Sequence, residues 1–345
     1  MIKPRLLASI AMALASQAMP ALAQPPAPDR ADYLFVGDIA LGAPNFWDYL
    51  TYDAGGKRLY AAHVHKISVI DIPTGRIIGE VGPLGDAHGV AIDPKRGKGY
   101  ADSGEEGVLK VFRLSDLMVT QEIKVSPDAD GVVYDPHTDR VLVDAGDSKT
   151  LTIVDPETDV VATTVALPGK PEFLAVDQRG FAYVNLADVN AIAKVDLAAG
   201  MVVKTWPLDN CRAPHGLGYD QRMDRLFSGC ANGRLVVVDA ATGANLANLP
   251  IGALSDAIAV DPARGRVFSA NGDGTLTVIS ETGGAYRVVR TIPTFFGGRN
   301  MAIDPETGRL FVSHGHTVLA GPMTDPLALK FAWDGLNVAM FDPND

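Results

Sequence analysis

The chain has little of what marks a membrane protein or a nucleic-acid binder. Beyond the N-terminal stretch, no run of residues is long and apolar enough to cross a bilayer. Basic residues are scarce, with 30 Lys and Arg against 41 Asp and Glu, and like charges form no long run. Because a phosphate-backbone partner requires a basic stripe, we expect no nucleic-acid partner and no transmembrane segment.

Other absences exclude familiar catalytic frameworks and helical folds. The sequence contains no nucleophile elbow, P-loop or dinucleotide-binding fingerprint. Aromatic residues make up only 7% of the chain, whereas glycines number 35 and prolines 23. This balance favours short strands joined by many turns over helices.

The N-terminus has the pattern of a secretory signal. Lys3 and Arg5 form a basic region, residues 6–15 are apolar, and a small-residue cleavage site precedes Gln24. The apolar stretch is too short to span a membrane. We therefore predict that residues 1–23 are a cleaved signal peptide and that the mature protein is periplasmic or secreted.

The mature chain is more acidic than the whole, because the signal peptide removes two basic residues and no acidic one. It holds 28 basic and 41 acidic residues, a formal net charge of −13. Residues 24–31 are predicted to be a Pro-rich linker. Residues 32–345 would usually suggest two domains, but a closed ring of repeats can form one unit.

A repeat of about forty residues organises this region. Seven aspartates recur at intervals of 40 to 43 residues, and each closes a short apolar run such as YLTYD or GVAID. Four strand-like runs in each unit are typical of a β-propeller, so the sequence predicts an all-β fold with seven blades. The seven are Asp53, Asp93, Asp135, Asp177, Asp220, Asp261 and Asp304.

The two ends of the chain predict how the ring closes. The last blade lacks one strand, whereas Tyr33 to Leu41 forms an extra strand before blade 1. Pairing this strand with Asn337 to Phe341 would complete the blade and remove exposed edges. Blade 7 also carries an apolar insertion, residues 317–334, that is long enough to cover a neighbouring part of the protein. A second set of aspartates ends third strands, as in SVID, TIVD and VVVD, and is expected to cap turns.

The order of strands, aspartates and turns within each unit resembles that of the YncE-like, YVTN-repeat seven-bladed propellers. The second strand of each unit has runs such as LYAAH, AYVNL and LFVSH, and the third ends in SVID-like runs. The resemblance covers the whole mature chain and implies the propeller fold. It implies no single activity, because that family spans binding proteins, proteins of unknown role and lactonase-like relatives.

One ring of ionisable residues is predicted at the mouth of the central channel. Inner strands begin on the usual functional face, and every position five residues before a repeat aspartate is ionisable. Such a ring can shift pKa values and support chemistry, although polar residues also collect at a solvated channel mouth. The ring comprises Asp48, His88, Asp130, Glu172, His215, Asp256 and Arg299.

Roles can be assigned within this ring. His215 and Glu172 are predicted to act as general base and acid, and Arg299 to hold an anionic group. The carboxylates Asp48, Asp130 and Asp256 are left as substrate-binding groups.

Five of the seven histidines fall on one arc of the same face. They lie in two His-x-His pairs on blades that become neighbours once the ring closes, with one more at the start of blade 2. Neutral imidazoles suit a divalent transition metal such as zinc, copper, nickel or iron. The competing interpretation is surface histidines, or histidines that hold loops by hydrogen bonds. The predicted ligands are His63, His65, His88, His314 and His316.

The two cysteines also fall on this face. Cys211 lies in the loop entering blade 5 and Cys230 ends the second strand of that blade. An even count in an exported protein favours a disulfide, which would brace the segment carrying His215. A thiolate metal ligand or a nucleophile is the alternative.

These observations favour two hypotheses over a third. The first is a metal-assisted enzyme on a small polar substrate, a hydrolase, lactonase or lyase. The second is a non-catalytic binder of a metal or small molecule. A partner-binding scaffold is less favoured, because the top loops offer few aromatic anchors. In each case we expect a monomer.

Overall fold

The computed structural model describes residues 32–44, 46–323 and 329–344. The predicted signal peptide and linker lie outside these residues. Within them the chain forms 28 strands arranged as seven four-stranded antiparallel sheets, the blades of a propeller. None of the described residues forms a helix that could cross a membrane.

The first four blades each use four consecutive strands, ordered from the channel outwards. Blade 1 comprises β2 (Leu50–Asp53), β3 (Arg58–Ala62), β4 (Ile67–Asp71) and β5 (Arg76–Val81). Blade 2 comprises β6 (Val90–Asp93), β7 (Lys98–Ser103), β8 (Val108–Arg113) and β9 (Val119–Lys124). Blade 3 comprises β10 (Ala129–Asp135), β11 (Arg140–Ala145), β12 (Thr150–Asp155) and β13 (Val160–Ala166). Blade 4 comprises β14 (Pro171–Val176), β15 (Phe181–Leu186), β16 (Ala191–Asp196) and β17 (Met201–Pro207).

The last three blades follow the same order, except that blade 7 takes its outer strand from the start of the domain. Blade 5 comprises β18 (Pro214–Asp220), β19 (Arg225–Cys230), β20 (Arg234–Asp239) and β21 (Asn245–Pro250). Blade 6 comprises β22 (Ser255–Asp261), β23 (Arg266–Asn271), β24 (Thr275–Thr282) and β25 (Ala285–Pro293). Blade 7 comprises β26 (Met301–Ile303), β27 (Leu310–Leu319), β28 (Leu329–Pro343) and β1 (Tyr33–Gly42).

The predicted closure of the ring is confirmed. Strand β1 pairs antiparallel with β28, from Tyr33 opposite Pro343 to Gly42 opposite Leu336. Its alternation is that of a half-buried strand, because Ile39 and other alternate side chains face the core while their neighbours face solvent. The first and last strands of the domain therefore hold each other, and the closed ring leaves only short outer edges.

The repeat aspartates are structural, as their position at the end of each inner strand predicts. Asp53 accepts a hydrogen bond from the N–H of Gly55 at 3.0 Å, and Asp135 accepts one from His137 at 3.0 Å. The third-strand aspartates do the same, as Asp155 shows with the N–H of Glu157 at 2.9 Å. Each is an Asx-type turn, which explains the regular spacing without any role in chemistry.

The insertion in blade 7 is an extension of the β27–β28 hairpin. The pairing continues beyond the sheet, with Thr317 opposite Phe331 and Leu319 opposite Leu329. Residues 324–328, at the end of this hairpin, lie outside the described residues.

Candidate active site at the mouth of the central channel

The predicted ionisable ring forms in the structure. Six of its seven members line one cavity of about 440 Å³ at the mouth of the channel, and the seventh, Asp256, contacts two of those six. Each member lies at the start of an inner strand or two residues before it. Neighbouring inner strands are joined directly, as by the Tyr49 N–H to the His88 carbonyl at 3.0 Å. The ring thus places one ionisable side chain from each of the seven blades around a single opening.

Glycines allow the inner strands to approach this closely. A Cβ at Gly89 would lie 2.8 Å from the carbonyl oxygen of Asp130, and one at Gly216 would lie 2.6 Å from that of Asp256. Neither backbone oxygen could move without disturbing the sheet. A side chain at either position would therefore push apart the strands that carry the ring.

Blades 4, 5 and 6 contribute three linked charges. His215 Nδ1 lies 3.1 Å from Glu172 Oε2 and 3.3 Å from Asp256 Oδ1. Burial opposes protonation of the imidazole, but these two carboxylates outweigh it and raise the pKa of His215 to about 10. His215 is therefore an imidazolium at neutral pH. This argues against the predicted role as general base and favours a role as a fixed cation.

Blades 6, 7 and 1 continue the same network. Arg299 Nε lies 3.1 Å from Asp256 Oδ2, and Asn300 Nδ2 donates to Asp256 at 3.0 Å and to Asp48 at 3.3 Å. Burial opposes ionisation of Asp256, yet Arg299 and His215 lower its pKa. Asp256 is thus the anion that holds both cations in place.

His88 forms a separate ion pair with Asp102 of blade 2. Its Nδ1 lies 3.1 Å from Asp102 Oδ2 and 3.2 Å from the Ala129 carbonyl. Asp102 Oδ1 also accepts the His88 and Gly89 N–H groups, at 2.9 and 2.6 Å. Burial opposes protonation, but the hydrogen bond to Asp102 and the nearby carboxylates raise the pKa of His88 to about 11. A neutral imidazole, which a metal would need, is disfavoured here.

Asp130 stands apart from these pairs. Among the ring residues it alone has a carboxylate with no hydrogen bond or ion pair in the described part of the chain, and its Oδ1 is fully buried. Burial raises its pKa, His88 lowers it, and Glu172 raises it again, so that the pKa is about 7. Burial and the charge of Asp130 also raise the pKa of Asp48 well above its usual range. The cavity therefore holds one carboxyl group that exchanges a proton near neutral pH.

An aromatic pair lies directly below the ring. The rings of Tyr49 and Phe173 meet edge to face, with centroids 4.2 Å apart. These residues follow Asp48 and Glu172 in sequence, on blades that face each other across the channel. Beneath the polar mouth they border a second, smaller cavity of about 110 Å³.

Two of the predicted metal ligands are occupied by other contacts. His63 is fully buried; its Nδ1 lies 3.1 Å from Ser68 Oγ and its Nε2 donates to the Pro44 carbonyl at 2.7 Å. His314 Nε2 lies 2.9 Å from Asp38 Oδ1, and its ring stacks on Phe295 at 3.7 Å. Both side chains hold the connections of blade 7 and blade 1, the competing interpretation given above.

The remaining histidines do not complete a metal site. His65 and His316 are exposed, and His88 is held by Asp102. Across the described residues, no group of three or more His, Cys, Asp or Glu has an arrangement that could hold a metal ion. The five histidines share a face, as their register indicates, but the structure does not bring them to one point.

The predicted disulfide between Cys211 and Cys230 is present. It closes a separation of 19 residues and ties the loop entering blade 5 to the end of β19. Asn190 and Asn232 hold the same loop, since their side-chain oxygens accept the N–H groups of Ala213 at 2.9 Å and Arg212 at 3.0 Å. This loop leads into His215, so the disulfide supports one wall of the cavity.

We expect loss of this disulfide to weaken both the fold and the site. Replacing Cys211 and Cys230 together by Ala should lower the free energy of unfolding by about 3 kcal/mol, the value for a loop of this length in the chain-entropy model. Urea denaturation with and without reductant measures this loss. Thiol titration of the unreduced, denatured parent should find no reactive thiol, and two reactive thiols would contradict the assignment.

Three residues that support the ring from behind were not predicted from the sequence. Asp102, Asp144 and Asn185 are fully buried and occupy equivalent positions in β7, β11 and β15. Asp144 accepts the Gly131 N–H at 3.3 Å, and Asn185 donates to the His215 carbonyl at 2.7 Å. A polar residue near the end of an otherwise apolar strand was the available signal.

Comparisons with known proteins support the fold alone. No protein-family model and no curated protein sequence matches the chain. Its structure is similar to that of hydrazine synthase from Kuenenia stuttgartiensis, with a TM-score of 0.70 and 15% identity over 78% of this chain and 92% of that one. This similarity confirms the propeller. It does not extend to the YncE-like family or to a specific activity.

Proposed function

We propose that this propeller is an exported hydrolase that opens a lactone or small ester at the mouth of the channel. Asp130 carries the proposal, because it is the ring carboxylate without a partner and its pKa is about 7. A general base works best when its pKa lies near the working pH. The other ring residues are already paired, which leaves Asp130 to exchange the proton.

The reaction is a base-assisted attack by water. The Asp130 carboxylate takes a proton from water while the water oxygen bonds to the carbonyl carbon. The ester C–O bond then breaks, and the departing oxygen takes that proton back, giving a hydroxy acid and the original carboxylate. Negative charge develops on the carbonyl oxygen during the attack, and positive groups fixed before the reaction stabilise it.

The cations of the ring supply that positive charge. His215 engages its carboxylate partners through Nδ1, which leaves Nε2–H to donate to the developing oxyanion. Arg299, held by Asp256 beside it, adds a second charge and would bind the product carboxylate. In this scheme Glu172 and Asp256 position the cations, and the cations take the place of the metal predicted from the sequence.

Asp48 and His88 complete the binding site. Burial and Asp130 raise the pKa of Asp48 well above the usual range, which favours its protonated form as a hydrogen-bond donor to a substrate oxygen. His88, an imidazolium beside Asp130, keeps the pKa of that carboxyl from rising further. Substrates of this site should therefore be small, polar and rich in oxygen acceptors.

A direct test measures the protons that ester hydrolysis releases, using purified protein without a histidine tag. γ-Butyrolactone, δ-valerolactone and p-nitrophenyl acetate would be supplied at neutral pH with a pH indicator. Turnover of one of them that is lost in Asp130→Asn supports the proposal. Binding of 4-hydroxybutyrate by calorimetry without turnover of any ester would instead favour a non-catalytic binding protein, which the pre-formed ion pairs of the ring also suit.

The dependence of kcat/KM on pH should be bell-shaped. Activity requires Asp130 ionised and His215 protonated, so it should rise through about pH 7 and fall through about pH 10. Initial rates between pH 5 and 10.5, corrected for hydroxide-catalysed hydrolysis, measure this. A profile that is flat between pH 5 and 9 would remove Asp130 from the role of base.

A further inference from the structure

We propose that the natural ligand is amphipathic and places a short apolar chain in the cavity beneath the ring. This rests on the proposed function, because it concerns the ligand of the same site. Every residue lining the lower cavity belongs to an inner strand of blades 1 to 4 or directly precedes one. Among them are Tyr49, Leu50, Val90, Val132, Phe173 and Leu174.

The position of this cavity sets the orientation of the ligand. Tyr49, Gly89, Gly131 and Phe173 line it and directly follow the ring residues of blades 1 to 4. The cavity therefore lies below His88 and Asp130, on the opposite side of the channel from the cations of blades 5 and 7. A carbonyl group held by those cations would direct its chain downwards past Asp130.

Glycines create the space that the chain would fill. At the level of Tyr49 and Phe173, blades 2 and 3 place Gly89 and Gly131, which have no side chains. A Cβ at Gly131 would lie 2.6 Å from Asp144 Oδ2, so a larger residue there would displace this buried carboxylate. The aromatic pair thus lies beside two positions that carry no side chain, and the cavity of about 110 Å³ is the space that remains.

Water is a poor occupant of this space. A buried water needs two to four polar partners, and several polar groups of the walls are already bonded. The Gly89 and Gly131 N–H groups donate to Asp102 and Asp144, and the Thr51 hydroxyl donates to the Val90 carbonyl at 2.8 Å. Filling the cavity with methylene groups is therefore favoured over hydrating it.

The volume limits the length of the chain. A water molecule occupies about 30 Å³ of liquid, and the cavity measures about 110 Å³. It holds three to four heavy atoms, the size of a propyl or butyl group. Burial of each methylene corresponds to about a fourfold gain in binding, up to the length at which the cavity is full.

The test is a homologous series of γ-lactones carrying unbranched side chains of zero to six carbons. We expect kcat/KM to rise about fourfold per carbon up to propyl or butyl and then to fall. Phe173→Trp, which narrows the cavity, should move the optimum to a shorter chain. Phe35→Trp makes the same change on the outer strand, where Phe35 is 51% exposed, and should leave the optimum unchanged.

A second series separates this inference from the proposed function. If no lactone is hydrolysed, binding of straight-chain carboxylates from acetate to octanoate is measured by calorimetry. Affinity that rises with chain length to an optimum, and an optimum that Phe173→Trp shortens, supports the cavity even though hydrolysis fails. Rates or affinities that are flat, or that fall from the first added carbon, overturn it.

Discussion

Asp130→Asn should abolish hydrolysis and, at pH 8, make the protein more stable. The amide has the size of the carboxylic acid but cannot accept the proton of water. Loss of a positioned general base costs about 10² to 10⁴ in rate, and kcat should fall by that factor while KM changes little. Progress curves for the best lactone of the series measure it.

The gain in stability has its origin in the burial of Asp130. A carboxyl whose pKa is raised in the folded protein favours folding at low pH, and this contribution is lost as the pH rises through about 7. At pH 5 the folded forms of both variants are neutral at this position and only the unfolded parent is ionised there, so the difference in Tm should be smaller than at pH 8. At pH 8 the parent holds an unpaired buried charge that the variant lacks, which should raise the Tm of the variant by a few degrees.

A matched change at the rim serves as the control. The side chain of Asp147 is 84% exposed and lies 3.8 Å from Lys170, which borders the same cavity. Asp147→Asn alters charge by the same amount and should change neither kcat nor Tm. An Asp130→Asn protein with full turnover, or with a lower Tm at pH 8 than at pH 5 relative to the parent, would contradict the assignment.

The fold could be predicted because its repeat is marked by residues that act locally, within their own turns. Asp53 and its six equivalents each bind the backbone of their own turn, so their spacing follows blade length independently of tertiary packing. The closing strand was predictable for a similar reason, since a missing fourth strand leaves an edge that only Tyr33 to Leu41 could cover. Both arguments require only the order and spacing of the strands along the chain.

The membership of the ring was also predictable, but the roles of its members were not. Register placed His215 and Asp130 at the same depth of the channel. Only distances show that His215 lies between Glu172 and Asp256 and is a cation, whereas Asp130 is left alone. A pKa depends on the few ångströms that separate charges, and a sequence does not give them.

The histidine site shows where reasoning from register fails. The five histidines were expected to converge on one arc of the channel-mouth face, and His63 follows directly after β3. In the structure the connection from β1 to blade 1 crosses over it, and its Nε2 binds the Pro44 carbonyl of that connection. Long-range coverage by a neighbouring connection has no local signature in the sequence.

Removing the inner contacts of strand β1 should destabilise the whole ring. Ile39 and Leu41 are buried, 6% and 7% exposed, in a cluster with Trp47 of the connection and Phe311 of blade 7. Each truncation to Ala costs about 2 to 5 kcal/mol, and domains are stable by only about 5 to 15 kcal/mol. The Ile39→Ala, Leu41→Ala protein should thus unfold at far lower urea than the parent.

The same strand provides the control, because its outer face points to solvent. Leu34 and Val36 are 52% and 48% exposed, and replacing both by Ala should change stability by less than about 1 kcal/mol. The destabilised variant should still unfold in one transition, since the first and last strands are one unit of the ring. Loss confined to a separate early transition, or a midpoint equal to that of the outer-face variant, would mean that the ring does not depend on this strand for closure. The site depends on it as well. Asp48 of blade 1 and Arg299 of blade 7 line one cavity across the junction that β1 closes, so the inner-face variant should lose hydrolysis in the same urea transition in which it loses its blades.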